Sequence, residues 1–365
     1  MRLLYLCASG QIGGGNRSLL SLWDELLPEG IAISAICPSE GPMIQACADR
    51  GISCRVIKYD WFSRWDFSSL ANNYYRWRQL LKETQPDIVH ANDRAGAHVI
   101  ALAAWSKSIP LICHIRFFPS PPQVAALTFR GLPKPDIFIF NSYALQSKVG
   151  RVLSQACPRA RQQVIYNGVN LHAFAGVERN GRDCMRIGIV ANLLPVKGHS
   201  SFLKMARLLI DKGVRAEFWI VGDDIFDRGY RQHLKDLALT LNLHQFVRFL
   251  GYRQDIPHIL GQIDILVSSS SEEPFGRSIC EAMACELPVV ATAVGGVVEV
   301  VENDETGILV PSQSPSALAD AVERLVGDAG LRRKLGQAGR QRVKKFFSNE
   351  AHAKEVKKIY MGLLQ

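Results

Sequence analysis

Two glutamates, Glu273 and Glu281, stand eight residues apart in the segment SSSSEEPFGRSICEAMACELP (268–288). The apolar run DILVS (264–268) before them is typical of a parallel strand, and a helix is predicted to begin after Gly276. Backbone N–H groups at such a helix start favour an anion such as phosphate. Glu281, inside the helix, can accept hydrogen bonds from vicinal hydroxyls, and Glu273 can stand near a reacting group. The segment therefore predicts a ligand that is part anion and part polyol; the alternative is a surface acid beside an unrelated helix-face acid.

A lysine at a second strand-to-helix junction suits the same kind of ligand. In NLLPVKGHSSF (192–202), Pro195 and Gly198 form a turn that places Lys197 beside a helix N-terminus. A positive charge there suits a diphosphate, and it is unfavourable where only a helix cap is needed, because that end of the helix dipole is already positive. The alternative is a solvated lysine in a loop.

A glycine-rich loop separates the first predicted strand from the first predicted helix. In ASGQIGGGNRS (8–18), Gly13, Gly14 and Gly15 let a ligand approach the main chain, and the helix start suits phosphate or sugar oxygens. The loop is not the G-x-G-x-x-G dinucleotide pattern with its ribose-binding acid. A flexible strand-to-helix turn is the alternative.

A histidine ends one predicted strand of the first half. His114 lies in LICHIRFF (111–118), and at the mouth of a parallel sheet its ring could reach a sugar hydroxyl or a carbonyl. The alternative is a histidine that is hydrogen-bonded within the core.

Several motifs of other enzyme classes are missing from the sequence. There is no Asp-x-Asp, so the acidic pair that commonly clamps a metal–diphosphate is not available. There is also no G-x-S-x-G elbow and no G-x-x-x-x-G-K-[ST] loop. These absences weigh against hydrolases, kinases and ATPases.

The composition is that of a globular protein with an anionic partner. The 365 residues exceed what one core usually supports, which favours two domains. The net charge of +9 lies mostly in the first 170 residues. The nine cysteines form no C-x-x-C pair, which predicts reduced, buried thiols and no zinc site. No apolar run is long enough for a signal segment or a spanning helix, so we expect a cytoplasmic protein.

Short apolar runs alternate with longer amphipathic ones along the chain, which predicts an α/β fold with parallel sheets. We expect two Rossmann-like, doubly wound domains whose sheets face one cleft. The predicted strands are 3–7, 31–37, 54–58, 87–91, 110–115, 136–140 and 163–166 in the first half, and 185–191, 216–222, 246–251, 264–268, 288–292 and 307–311 in the second.

The domain boundary is predicted in NGVNLHAFAGVERNGRDC (167–184), which is rich in Gly and Asn and has no apolar period. We predict an N-terminal domain over 1–167, a linker over 168–184 and a C-terminal domain over 185–345. A C-terminal helix over 346–365 is expected to pack back on the N-terminal domain.

Taken in order, these segments resemble the retaining nucleotide-sugar glycosyltransferases of the GT-B fold, specifically glycosyltransferase family 4 (group 1). GGGNRSLLSL (13–22) is similar to the family's glycine loop, VIYNGVNLHAF (164–174) to its linker and ANLLPVKGH (191–199) to its phosphate-binding loop. The segment from Phe249 to Pro311 matches almost continuously, and the E-x7-E pair within it is the strongest of these motifs.

The resemblance implies a role for each matching residue. Glu281 would bind the ribose hydroxyls, Glu273 would lie near the transferred sugar, and Lys197 would neutralise the diphosphate, as a metal does elsewhere. His114 would contact the donor sugar near its anomeric carbon. Such enzymes work by front-face retention, in which the leaving phosphate helps to deprotonate the acceptor, so no protein nucleophile and no metal or other cofactor is expected.

The implied site contains three groups of residues. The catalytic residues would be His114, Glu273 and Lys197. The donor-binding residues would be Gly14, Gly15, Asn192, Gly222, Tyr252, Arg253, Phe275, Gly276, Arg277, Ser278 and Glu281, with Tyr252 and Arg253 bordering the base and the N–H groups around Phe275 to Ser278 holding the distal phosphate. The acceptor-binding residues would be Arg17 and Arg116, in an acceptor-binding N-terminal domain that faces a donor-binding C-terminal one.

Three positions depart from the family pattern. Asn192 stands where an arginine is usual, so one cation is missing and Lys197 or Arg277 must carry more of the charge. Ala293 and Val298 replace a common Asp and Pro, which could alter a sugar contact. Asn16 stands where an acid is common.

The N-terminal half also suggests the kind of acceptor. Three of the six tryptophans lie among basic residues in 58–82, and 116–134 could form an apolar, mobile loop over the acceptor. Aromatic and basic side chains suit a lipid-linked or anionic acceptor and the inner face of a membrane, unless these aromatics fill the core. The implied activity is that of a hexosyltransferase acting on a glycan, lipid-linked or small-molecule hydroxyl in cell-surface polysaccharide or glycolipid synthesis.

Two other functions stay open at this point. One is a non-catalytic GT-B binding module, for which Asn192 would be the first lesion. The other is a GT-B nucleotide-sugar epimerase, which would need more acid and base groups than the sequence offers. A nucleic-acid partner would explain the basic charge but not the acid-flanked loops.

Overall fold

The computed structural model describes residues 1–59, 67–129, 131–174, 184–224 and 228–365. The chain folds as two compact units. Unit 1 comprises Met1–Gly168 together with Asn349–Gln365, and unit 2 comprises Val169–Ser348. Of the predicted linker, residues 175–183 lie outside the described residues.

Each unit contains one parallel sheet. Among the described residues, the sheet of unit 1 has seven strands in the order β3-β2-β1-β4-β5-β6-β7 and that of unit 2 has six in the order β10-β9-β8-β11-β12-β13, so the α/β doubly wound prediction is confirmed. The strands are β1 (Arg2–Leu6), β2 (Ala32–Cys37), β3 (Ser53–Val56), β4 (Ile88–Ala91), β5 (Leu111–Ile115), β6 (Ile137–Phe140), β7 (Arg161–Val164), β8 (Met185–Val190), β9 (Ala216–Val221), β10 (Val247–Gly251), β11 (Ile265–Ser268), β12 (Val289–Thr292) and β13 (Ile308–Val310).

Helices connect the strands in both units. In chain order they are α1 (Gly14–Leu26), α2 (Pro42–Ala48), α3 (Phe67–Thr84), α4 (Arg94–Ser106), α5 (Pro121–Ala126), α6 (Tyr143–Ala156), α7 (His199–Asp211), α8 (Tyr230–Thr240), α9 (Ile256–Gly261), α10 (Arg277–Ala284), α11 (Val297–Val300), α12 (Pro315–Gly327), α13 (Ala329–Phe346) and α14 (Asn349–Leu364).

Helices cover both faces of the first sheet. Side chains of α3, α4 and α6 form an apolar cluster on one face, and those of α1, α2 and α14 form a second cluster on the other. Because both faces are buried, the central strands are continuous apolar runs rather than alternating ones. In β6, for example, all four residues of IFIF are buried.

The C-terminal helix α14 belongs to unit 1, although unit 2 precedes it in the chain. Its buried residues recur every three or four positions, as one face of a helix requires. They are Asn349, His352, Ala353, Val356, Ile359 and Tyr360. This face joins the cluster that includes α1, so α14 is an integral layer of unit 1.

Two stretches that were predicted to serve the acceptor also contribute residues to the core. In 58–82, Trp77 is buried, whereas Trp61 and Trp65 lie outside the described residues. The predicted mobile loop over 116–134 contains α5 and buries Leu127 and Phe129. The Phe129 ring stacks on His98, with ring centroids 3.9 Å apart. The apolar residues of this loop are therefore partly core residues, which is the alternative that the sequence left open.

All nine cysteines are free thiols, and seven of them are buried, as predicted. Within the described ranges no group of three His, Cys, Asp or Glu residues is placed to hold a metal ion. Among the same residues no helix has the length and apolar character needed to cross a bilayer.

Three buried histidines resist protonation. Burial, aided by the charge of Arg116, lowers the pKa of His90 and of His114 well below the usual value. Burial, together with the charge of Lys197, lowers the pKa of His199 to about 4. Each ring is therefore neutral in the folded protein near pH 7.

We expect the substitution Ile359→Ala to destabilise the chain far more than Met361→Ala does. Ile359 is 5% exposed and Met361 57% exposed, although both lie on α14. Deleting the buried side chain should cost about 2–5 kcal/mol of unfolding free energy, whereas the exposed one should change it by about 0.5 kcal/mol or less. Urea denaturation measures both, and equal effects would contradict the packing of α14 in unit 1.

Acidification should destabilise the protein between pH 6.5 and pH 4, partly through His199. In the unfolded chain the His199 ring takes up a proton near pH 6.5, whereas in the folded protein it does so only near pH 4. The folded state is therefore favoured fully above pH 6.5, and this contribution to the free energy of unfolding is lost as the pH falls toward 4. His199→Gln should flatten the pH dependence of the unfolding free energy by up to about 1.4 kcal/mol per pH unit. His244→Gln, at an exposed position of unit 2, is the matched control and should leave the slope unchanged. An unaltered slope in His199→Gln would disprove this assignment.

Candidate functional site

The predicted donor-binding residues of unit 2 lie on loops that follow β8, β9, β10 and β11, together with the first turns of α10. Backbone hydrogen bonds join these loops. Ser271 N–H donates to Val196 O at 2.8 Å, and Gly296 N–H, after β12, donates to Glu273 O at 2.9 Å. The buried Ser269 hydroxyl donates to Gly198 O at 2.9 Å. The loops therefore form one cross-linked edge rather than separate mobile segments.

Two glycines let these loops come into contact. Gly198 has a φ of +71°, and a Cβ there would lie 1.9 Å from Ser269 O. Gly222, with a φ of +136°, would place a Cβ 1.9 Å from Ala191 O. No other residue type fits either position without moving the backbone. Gly222 thus allows the loop after β9 to lie in close contact with the loop after β8.

Lys197 and Glu273, which were predicted to act on different parts of a ligand, form an ion pair. Lys197 Nζ lies 2.6 Å from Glu273 Oε2, and the two side chains are 22% and 13% exposed. Lys197 closes a short 3₁₀ turn (Pro195–Lys197), and Glu273 precedes α10. Removing either partner would leave a largely buried, uncompensated charge.

A second ion pair lies on the first turns of α10. Arg277 Nε donates to Glu281 Oε1 at 2.8 Å, and both side chains are nearly buried, at 15% and 6% exposed. The helix begins after Gly276, whose φ is +98°, as predicted. One face of the helix thus presents a carboxylate whose orientation is fixed by its own arginine, close to a helix start that favours anions.

The other predicted donor-binding residues differ in their surroundings. The Phe275 ring is buried against Phe347, with ring centroids 5.7 Å apart, so this residue can offer a ligand its backbone but not its ring. Arg253 forms a two-contact pair with Asp255, at 2.8 and 2.6 Å. Tyr252 is 47% exposed.

Four further positions of unit 2 were singled out by the sequence, namely Ser278, Asn192, Ala293 and Val298. Ser278 lies in the first turn of α10, and Asn192 is half-buried and accepts a hydrogen bond from Leu194 N–H at 2.8 Å. Ala293 N–H donates to Val310 O, and Val298 is exposed on α11. The structure gives no physical reason for Val298.

In unit 1, Arg116 is the centre of a polar cluster at the end of β5. Its Nε donates to Asn92 Oδ1 at 2.6 Å, one terminal nitrogen donates to Ser18 and Asn167, and the other lies 3.1 Å from His114 Nδ1. A Cβ on Gly15 would lie 3.3 Å from Arg116 Cδ. The structure therefore brings the predicted acceptor residue against the glycine loop.

Asn16 fixes that glycine loop from inside. Its amide nitrogen donates to Ser9 O and Gln11 O, both at 2.8 Å, and its amide oxygen accepts from Asn92 at 3.2 Å. A carboxylate has no proton to give to the two carbonyls. The departure from the usual acid thus has a local physical reason.

The remaining predicted residues of unit 1 differ in exposure. A Cβ on Gly14 would meet no described atom within 4 Å, so local packing does not require a glycine there. Arg17 is half-buried in the first turn of α1. His114 is fully buried in β5 beside His90, which is the surrounding that the alternative of a core histidine describes, and its contact with a sugar stays a prediction. Its Nδ1 atom lies 3.1 Å from a terminal nitrogen of Arg116.

Several residues of these clusters were missed by sequence reasoning. In unit 1 they are Tyr5, Ser18, His90, Asn92, Asn167 and Tyr360, and in unit 2 they are Ser269, Ser270 and Thr292. One signal was available, because His90 ends the run DIVHA as His114 ends LICHI. The other contacts join residues far apart in the chain.

Comparisons with known proteins give a consistent family. The family model described as Glycosyltransferase Family 4 matches residues 12–173, and that described as Glycosyl transferases group 1 matches residues 181–342. N-acetyl-alpha-D-glucosaminyl L-malate synthase of Bacillus anthracis is 34% identical over 259 residues, covering 67% of this chain and 65% of that protein. The capsular polysaccharide biosynthesis glycosyltransferase CapM of Staphylococcus aureus is 28% identical over 49% of this chain and 46% of its own length. The chain thus spans about two thirds or less of the length of these relatives.

Solved structures share the fold over the whole chain. Anabaena Alr3699/HepE in complex with UDP-glucose has a TM-score of 0.84 at 23% identity and covers 99% of this chain and 100% of its own. A glycosyltransferase from Rickettsia africae has a TM-score of 0.84 at 22% identity, covering 100% and 98%. The fold is therefore GT-B, with two Rossmann-like units, and the chain belongs to the group 1 glycosyltransferases, with an N-terminal half of the family 4 type.

Proposed function

We propose that the protein is a retaining glycosyltransferase that moves a hexosyl group from a nucleoside-diphosphate sugar to an acceptor hydroxyl. The observation that carries this proposal is the Lys197–Glu273 ion pair, at 2.6 Å, next to the helix start at Gly276. A cation and a carboxylate at one loop edge suit a ligand with an anionic part and a hydroxyl-bearing part. Two of the proteins named above, CapM and the Rickettsia africae protein, are named as glycosyltransferases, and the Anabaena protein binds UDP-glucose.

Donor binding would exchange the partners of the first ion pair. The diphosphate is a stronger counter-charge for Lys197 than one carboxylate, so it would take the ammonium group and leave Glu273 to accept hydrogen bonds from the transferred sugar. Glu281 would receive the ribose hydroxyls while Arg277 holds its carboxylate in place. The N–H groups at the start of α10 would bind the distal phosphate.

The chemistry would need no metal and no protein nucleophile. The bond between the anomeric carbon and the phosphate oxygen breaks, and the acceptor oxygen attacks from the same face. The acceptor proton passes to the departing phosphate, whose charge Lys197 stabilises. Because Asn192 is neutral where an arginine is usual, Lys197 would carry more of this charge, with Arg277 in support.

The acceptor would bind unit 1, close to Arg116 and Arg17. Unit 1 carries most of the positive charge, and Tyr75, Arg76 and Arg78 are exposed together on α3. Aromatic and basic side chains on one helix suit an anionic, lipid-linked acceptor at a membrane surface. Such an acceptor is consistent with a role in cell-surface polysaccharide or glycolipid synthesis.

Thermal unfolding with a panel of UDP-, GDP- and ADP-sugars tests the donor. At a hundredfold excess over its Kd, a bound donor should stabilise the chain by about 2.7 kcal/mol and raise the melting temperature. We expect Glu281→Ala to abolish this rise. The control is Glu323→Ala, which removes an exposed carboxylate of unit 2 that pairs with Lys212.

Each outcome of the panel has a definite meaning. If no donor raises the melting temperature, the glycosyltransferase proposal fails. If a donor does so equally in Glu281→Ala, the ribose assignment is wrong. Donor binding without product points to a non-catalytic module, and an epimerised nucleotide-sugar as product points to an epimerase.

Flotation with phosphatidylglycerol vesicles tests the membrane surface. The wild type should bind at low salt and dissociate at high salt. The double substitution Arg76→Gln/Arg78→Gln should weaken binding roughly thirtyfold, since each basic residue near an anionic surface contributes about 1 kcal/mol. Lys344→Gln/Lys345→Gln, on exposed positions of α13 in unit 2, removes the same charge and should have little effect. Equal losses in both variants would argue for general charge rather than α3.

A further inference from the structure

A continuous line of polar side chains crosses unit 1 from its C-terminal helix to Arg116. The Tyr5 and Tyr360 hydroxyls lie 2.5 Å apart, and the Tyr360 hydroxyl is 2.7 Å from His90 Nδ1. His90 Nε2 is 3.3 Å from His114 Nδ1, which is 3.1 Å from a terminal nitrogen of Arg116. Apart from Arg116, every member is fully buried, on β1, α14, β4 or β5. We call these five residues the relay.

The Arg116 end fixes the direction of the hydrogen bonds. A guanidinium group can donate but cannot accept. His114 Nδ1 must therefore accept, and the ring must be neutral with its proton on Nε2. Burial and the charge of Arg116 both lower the pKa of His114, which favours the same neutral state.

The same direction propagates to the C-terminal helix. His90 Nε2 faces the accepting lone pair of His114, so it must carry a proton, and His90 Nδ1 must then be the acceptor. The Tyr360 hydroxyl therefore donates to His90, and its oxygen accepts from the Tyr5 hydroxyl. One arrangement of protons is compatible with all four contacts, in which the single lone pair of His114 Nδ1 is shared between Arg116 and His90 and the N–H group at Nε2 has no partner among the described residues.

The relay ends at the glycine loop. Arg116 donates through Nε to Asn92, whose own amide group donates to Asn16 inside that loop, and its Cδ approaches Gly15. The second terminal nitrogen of the guanidinium group donates to His114 Nδ1. If the proton of His114 moved from Nε2 to Nδ1, an N–H group would face the guanidinium group of Arg116 in place of a lone pair. Because two donors repel each other, Arg116 would have to move.

We propose that Tyr360 and His90 are positioning residues, which act through the tautomer of His114 to hold Arg116 against the glycine loop. The inference rests on the proposed function in so far as Arg116 serves the acceptor. It assigns the C-terminal helix a part in the acceptor side of the reaction, beyond its packing in unit 1. Tyr360 contributes an O–H donor here, which phenylalanine of nearly the same shape lacks.

Nitrogen-15 NMR of the full-length protein with labelled histidine tests the relay without any activity. At pH 7 we expect both His90 and His114 to be neutral with the proton on Nε2, assigned by the signals lost in His90→Gln and His114→Gln. In Tyr360→Phe only the 3.3 Å contact with His114 still favours the proton on Nε2 of His90, so part of the population should carry it on Nδ1 instead. Tyr75→Phe, at an exposed position of α3, is the matched control and should leave the spectrum unchanged. A proton on Nδ1 of His114, or a charged His114 ring, would overturn the proposal.

Kinetics separate positioning from a purely structural role. With the donor that the panel identifies and octyl glucuronide, an anionic alkyl glycoside, as the acceptor, Tyr360→Phe should raise the KM for the acceptor about fivefold, as the loss of one hydrogen bond predicts. The donor-induced rise in melting temperature should persist. An unchanged acceptor KM despite an altered His90 tautomer would refute the positioning role. If the wild type transfers nothing with any donor, the proposed function fails, and the histidine spectra still decide the relay.

Discussion

A charge that is withdrawn from water must have a counter-charge or a full set of hydrogen bonds, and this constraint shapes both clusters of the protein. In unit 2 the constraint is met by ion pairs, Lys197 with Glu273 and Arg277 with Glu281. In unit 1, Arg116 is held by neutral acceptors on Asn92, Asn167 and His114. The two solutions have different consequences for ligand binding.

In the proposed donor site, the two charges of Lys197 and Glu273 neutralise each other. Lys197 and Glu273 need no ligand to be stable, yet a ligand with its own anion can replace the carboxylate without leaving the ammonium group unpaired. The cost of separating the pair is offset by the new contacts of both partners, whereas a neutral ligand would have to leave two charges unpaired. Selectivity for an anionic ligand thus follows from the pair itself. Neutral acceptors around Arg116 work differently, because they orient the guanidinium group without cancelling its charge.

The sequence predicted features whose causes are local. The strands were located to within two residues because a strand buried on both faces needs an unbroken apolar run, as in IFIF (137–140). The start of α10 at Gly276 was also predictable, because a glycine between a strand and a helix favours a left-handed turn. Contacts across long sequence separations were not predictable. Nothing in the residues around Lys197 indicates that Glu273, 76 positions away, is its partner, and Tyr5 and Tyr360 are 355 positions apart. The sequence left the burial of His114 open for a related reason, since the residues that cover it come from other elements of unit 1.

Because the chain returns to unit 1 after unit 2, the two units differ in how much of the chain must be present before each can fold. Unit 2 is one continuous stretch, Val169–Ser348, so all of its contacts are available once that stretch has been made. Unit 1 requires α14, which supplies Val356 and Ile359 to the apolar cluster and Tyr360 to the buried polar line. Without α14, the faces of β1 and α1 that it covers would lose apolar burial, and His90 would lose its hydrogen-bond donor. The cluster around Arg116 therefore reaches its final arrangement only after α14 has been added, although Arg116 itself precedes α14 by more than 200 residues.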